Sequence, residues 1–195
     1  PSMIFSHGHW LKDNKKMSKS IGNVVDPLSI IDKYGIDSVR LYFLSQGPLH
    51  QDIDFTEDNL LHTHNKFLID SYMNLLFRIA SKKVIKKLGE TIQRPEEING
   101  GLLIQVNEQV EIASKHFERY DFINAFRAVE QIVFLGNQDL SVNEFWTLLK
   151  SDDIDSKKKL EGFLYTTMEI MKTVSILLQP YCPRQTDKVL TFLQV

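Results

Sequence analysis

Apolar residues after position 55 recur at helical spacing, and this periodicity limits the fold of the 195-residue chain more than any other feature. Leu60, Leu61, Phe67, Leu68, Leu75, Leu76 and Ile79 continue a pattern that Thr56-Glu57-Asp58-Asn59 opens with a helix-start signature. Further helices are predicted over 102–120, 121–135 and about 156–178, and a short one after Pro180 and Pro183. Phe122, Phe126, Val129 and Val133 share one helix face and are expected in the core. The polar, proline-bearing stretch 93–101 reads as a loop. With no convincing strand after residue 55, this part of the chain reads as a helix bundle.

The first 55 residues have another texture. Met3 to Phe5 resembles a short strand entering a polar turn, His7-Gly8-His9-Trp10, and Asp52-Ile53-Asp54-Phe55 alternates as a strand does. Asp26-Pro27 starts a helix that stops at Gly35, with Asp26 as cap and Pro27 where a missing N–H costs nothing. A second helix is predicted from about Asp37 to Gln46, largely apolar and closed by Gly47-Pro48. Between strand and helix lies a lysine- and serine-rich stretch, Lys12 to Ser20, with Gly22-Asn23 as a turn signal.

Composition excludes several classes of function. A formal net charge of −2 is not that of a polycation, so any nucleic-acid contact must come from a local basic face and from stacking. The single cysteine, Cys182, excludes an internal disulfide and a cysteine-cluster metal site. No apolar run approaches the roughly 20 residues of a membrane span, and no signal or transit peptide opens the chain. Starting at Pro1 in what reads as mid-strand, the chain is expected to be part of a longer protein whose missing portion would hold any transit peptide. His62 and His64 are two apart on a helix and face different sides, and no carboxylate or thiolate cluster supports them or His7 and His9, so no metal site is expected.

Lys16-Met17-Ser18-Lys19-Ser20 is the stretch richest in chemistry. It sets two ammonium groups at i and i+3 with hydroxyls between them, just before a helix start. Such a loop can fold over a triphosphate, its lysines neutralising charge as pyrophosphate leaves. Lys16 to Pro27 as a whole resembles the KMSKS signature of class I aminoacyl-tRNA synthetases, with the Gly-Asn-Val-Val-Asp-Pro tail of the methionyl-tRNA synthetase family. His7 to Leu11 is similar to the strand end preceding that loop. Asn74 and Arg78, four apart, and Asn137 and Trp146, nine apart, are similar in spacing to the family's anticodon-binding residues. Leu177 to Lys188 resembles mitochondrial and related bacterial-type members.

The resemblance implies a mainly α chain. Residues 1–55 would be the C-terminal remnant of a Rossmann-type class I catalytic domain, and 56–195 an α-helical anticodon-binding bundle. It implies a methionine–tRNA ligase reaction: methionine and ATP give methionyl-adenylate, and the methionyl group passes to tRNA(Met). Lys19 would stabilise the α-phosphate and Lys16 the leaving pyrophosphate. Met17, Ser18 and Ser20 complete the nucleotide loop, and Val24 or Val25 would lie near adenine. Asn74, Arg78, Asn137 and Trp146 would bind the anticodon; independently of the resemblance, helical spacing extends the Asn74 and Arg78 face through Lys82, and Lys83, Lys86 and Lys87 thicken it into an expected phosphate-contacting surface. Magnesium would arrive with ATP and not be bound by this segment. The His-Ile-Gly-His motif and the methionine pocket are absent, so the chain alone is expected to be inactive. Phe145 and Asp139 depart from the family's proline and aromatic residue near Trp146. The resemblance further implies a mitochondrial matrix enzyme (cytoplasmic as the alternative); a monomer without membrane contact is expected beside it. Two other readings stand beside it: a non-catalytic tRNA-binding module, and a class I synthetase for leucine, isoleucine, valine or cysteine.

Overall fold

The computed structural model describes residues 4, 6–47, 51–89 and 93–194. Met3, Phe5 and Pro48, to which the sequence assigned a strand and a helix stop, lie outside them. Three short strands form one sheet in the order β2-β1-β3, with β1 at Trp10–Lys12, β2 at Lys15–Lys16 and β3 at Ile53–Asp54. β1 and β2 make an antiparallel hairpin whose turn, Asp13-Asn14, has φ of 54° and 57°, the left-handed pair that suits a two-residue hairpin. β3 pairs parallel to β1, with Trp10 opposite Ile53. Trp10, expected in a polar turn, is therefore a strand residue. Its ring lies 4.6 Å from that of Phe43 and 5.4 Å from that of Tyr42, and this aromatic packing outweighs the polar residues before it.

α1 (Pro27–Tyr34) and α2 (Ile36–Gln46) connect the hairpin to β3. The Asp26 carboxylate accepts from the Leu28 N–H at 3.1 Å, the cap the sequence calls for. α2 is apolar on two sides because two cores use it. Val39 and Tyr42 join Ile30, Phe55 and Leu60 in a small cluster, while Leu41 belongs to the large cluster of the bundle. At its start the buried Asp37 accepts from the backbone N–H groups of Arg184 and Gln185, and Arg40 Nη2 donates to the Pro180 carbonyl at 2.6 Å.

The helix predicted from Thr56 through Ile79 forms with a different interior. α3 (Glu57–Thr63), capped by Thr56, runs into ten π-helical residues, His64–Met73, and then α4 (Asn74–Ile79). The wider π spacing turns Phe67, Leu68 and Tyr72 inward together. Tyr72 Oη donates to Ser175 Oγ at 2.7 Å, a buried tie between distant helices. α5 (Lys82–Leu88) follows, then α6 (Gly100–Glu118) and α7 (Phe122–Val142), the most extensively packed pair. α8 (Phe145–Lys150), α9 (Ile154–Leu178) and α10 (Pro183–Phe192) complete the chain.

α7 continues seven residues past the predicted end at Leu135. A Cβ on Gly136 would lie 2.9 Å from Leu75 Cδ2 and 3.4 Å from Ile170 Cγ2, so this glycine marks close helix approach and not a stop. The result is a mostly helical architecture with a small sheet at one end. Among the described residues no helix is long and apolar enough to cross a membrane.

Candidate functional site

The lysine loop leaves β2 at Lys16 and reaches the start of α1. Lys16, Lys19 and Ser20 are exposed, and Met17 is turned into the small core. Asn23 organises the loop: its Oδ1 accepts from the Ser18 N–H at 2.8 Å, and its Nδ2 donates to the Lys16 carbonyl at 3.3 Å. The Ser18 carbonyl receives the N–H groups of Ile21 and Gly22, and the hydroxyls of Ser18 and Ser20 share a hydrogen bond of 2.7 Å. Both ammonium groups are thus held on a tight, internally bonded turn with their charge in water. Sequence reasoning took Asn23 as a turn signal only. Its amide is what ties the two ends of the loop together. The two valines differ as well, since Val25 packs into the small core whereas Val24 is half exposed.

A second feature lies between the π segment, α4 and α7, a cleft of about 730 Å³. Asn74 and Arg78 from one wall and Asn137 from the other all line it, so three of the four residues singled out for anticodon binding share one surface. Arg78 Nη1 donates to the Asn137 carbonyl at 3.3 Å and to Ser141 Oγ at 3.2 Å, which aligns the guanidinium along the cleft. Asn137 Nδ2 donates to the carbonyls of Ser71 and Val133, while its buried Oδ1 has no partner among the described residues. The exposed ring of Phe134 and the carboxylates of Asp70 and Glu130 also line it, and sequence reasoning missed all three. Burial raises the pKa of Glu130, with Lys66 and Arg127 opposing that shift.

Trp146 stands apart from this cleft on α8, with 48% of its surface exposed. The two departures from the family pattern account for its pose. Phe145 is buried in the core and anchors the helix. Asp139 accepts from Asn143 Nδ2 at 3.0 Å and from Asn99 Nδ2 at 2.8 Å, bracing the turn between α7 and α8. Burial raises the Asp139 pKa, offset in part by these two donors. That turn passes through Glu144 in the left-handed region, φ 46°, and so breaks the helix between Val142 and Phe145.

The lysines of α5 divide into two groups. Lys82, Lys83 and Lys86 are exposed, as a phosphate-contacting surface requires. Lys87 does not belong with them. Only 16% of its side chain is exposed, and its Nζ donates to the backbone carbonyls of Leu149 at 3.0 Å, Leu148 at 3.5 Å and Ser151. His62 and His64 also part ways: Ser38 Oγ donates to the Tyr34 carbonyl, so His64 Nδ1–H donates to Ser38 at 2.9 Å. Among the described residues no group of three His, Cys, Asp or Glu side chains comes together.

Residues 1–80 match the family model described as tRNA synthetases class I (M). The methionine–tRNA ligase of Synechocystis is 33% identical over 97% of the chain, and that of Mycobacterium leprae 31% over 99%. The fold superimposes on Mycobacterium tuberculosis methionyl-tRNA synthetase in complex with methionyl-adenylate with a TM-score of 0.89, at 30% identity over 97% of the chain. The chain spans 36% of the length of each of those two ligases and 38% of the solved structure.

Proposed function

We propose, on the premise that this chain is a homologue of the class I methionyl-tRNA synthetases, that it supplies a methionine–tRNA ligase with its nucleotide loop and its anticodon grip. Residues 1–55 close the catalytic region and 56–195 form the anticodon-binding bundle. The single observation that carries this reading is the convergence of Asn74, Arg78 and Asn137 on one cleft from helices about sixty residues apart, in a chain that also holds out two exposed lysines on an ordered turn.

In this reading ATP would bring its own magnesium, with no side chain of this segment called on to hold it. Lys19 faces the α-phosphate and Lys16 the departing pyrophosphate, and both stabilise charge that grows as methionyl-adenylate forms. Ser18, Ser20 and Asn23 keep the turn shaped for that approach. Val24, the exposed valine, is the one available to adenine. On the bundle, Arg78 and Asn74 offer donors to base edges, Asn137 holds the opposite wall of the cleft through its bonds to Ser71 and Val133, and Trp146 offers a ring face to an unstacked base. We also take the enzyme to be monomeric and mitochondrial, the latter on the resemblance of Leu177 to Lys188.

The test uses the full-length enzyme. Lys19→Ala is expected to slow methionine-dependent pyrophosphate exchange by about a hundredfold or more, while Arg78→Ala leaves that exchange intact and weakens binding of a CAU hairpin RNA. Unchanged exchange in Lys19→Ala would make the loop a relic. Equal binding of hairpins with other anticodons would remove methionine specificity.

A further inference from the structure

α8 is six residues long and carries Trp146, yet a helix of that length does not hold itself together in water. Its last carbonyls need donors, and its C-terminus favours a positive charge. Lys87 answers both needs from a different helix. Its ammonium donates to the carbonyls of Leu148, Leu149 and Ser151 and lies 3.5 Å from the Asp152 carboxylate, with most of its stem buried between α5 and α8. Phe145 pins the first turn in the core, so α8 is anchored at both ends with Trp146 between them.

We infer that Lys87 is a positioning residue for RNA binding: it locks the Trp146 platform in register with the basic face of α5 and does not itself touch a phosphate. This rests on the anticodon-binding reading above. All three donors of the ammonium point at protein carbonyls, whereas Lys82, Lys83 and Lys86 on the same helix are exposed. One helix thus carries two kinds of lysine, three for the RNA backbone and one for the architecture that presents the base-stacking ring.

The roles separate in salt dependence and in coupling. A lysine that neutralises phosphate contributes to the slope of log K against log salt, and a lysine that only holds a helix does not. The full chain and its variants are titrated with a CAU hairpin RNA over a range of salt. Lys87→Met is expected to weaken binding about tenfold, comparable to losing one stacked base, with the parent's slope. Lys86→Met should reduce the slope by close to one unit. Lys87→Arg should recover most of the affinity, and far-UV circular dichroism checks that each variant is folded. In a Trp146→Ala background, Lys87→Met should add little, because both changes remove the same interaction. Parent-like binding by Lys87→Met, a reduced slope, or full additivity with Trp146→Ala each overturns the inference. If Trp146→Ala binds as tightly as the parent, the stacking role of Trp146 itself fails and takes the inference with it.

Discussion

Single residues determine how closely the helices of the cleft and of α8 approach. A Cβ on Gly162 of α9 would lie 2.6 Å from the Glu97 carbonyl oxygen, a backbone atom with little room to move. Helix propensity alone favours alanine there by about 1 kcal/mol. The clash should outweigh that gain, so Gly162→Ala is expected to destabilise the chain by about 1–2 kcal/mol in urea unfolding. A stabilised variant would mean the 93–99 loop can lift without penalty. The consequence reaches the site, since Asn99 at the end of that loop braces Asp139 and through it the turn leading to Trp146. The sequence made Asn74, Arg78 and Asn137 legible by spacing and resemblance. It left the role of Lys87 hidden, because the partners of its ammonium are main-chain carbonyls some sixty residues away, which no side-chain pattern reveals.

Among elements, the π segment is the most consequential departure from simple periodicity. Its apolar residues satisfy a helical template, and a sequence pattern does not distinguish the wider turn from an α-turn. The α7 boundary is hidden for a related reason: a glycine such as Gly136 within a helical pattern shows its packing role only when the helices beside it are known. α8 and the Asp13-Asn14 hairpin went unseen because each is too short to carry a period. His64 opens the π segment and packs against α2 through Ser38, and burial holds its pKa below the ordinary histidine value of 6.5. The folded state therefore prefers the neutral ring. This contribution to stability is complete above about pH 6.5, where the unfolded histidine is also neutral, and is lost as pH falls below it. The unfolding temperature is expected to drop between pH 7.5 and 5.5, and the drop should shrink in His64→Gln. An identical pH profile in that variant would assign the effect to other groups.

Across the whole molecule, the two cores are joined through α2, and α2 is joined to the end of the chain. The N-terminal N–H groups of α10 find their acceptor in Asp37, 148 residues from Gln185, while the local cap position, Cys182, offers no side-chain cap. Asp37→Ala should leave those partly exposed donors to water and lower stability by about 1 kcal/mol. Hydrogen exchange at Arg184 and Gln185 is expected to quicken more than at the centre of α9, and uniform exchange would deny the tie. Nothing at sequence level pairs these residues, since the link is a carboxylate from one helix serving the backbone of another. A ribosome delivers Asp37 long before Gln185, and until α10 emerges the nascent α2 carries a carboxylate without the backbone donors it serves, even though α1 and α3 already cover its Val39 and Tyr42 face. The start of α2 can therefore complete its hydrogen bonding only once α10 has been made, and partly assembled surfaces of that kind are where a growing polypeptide is prone to misassemble.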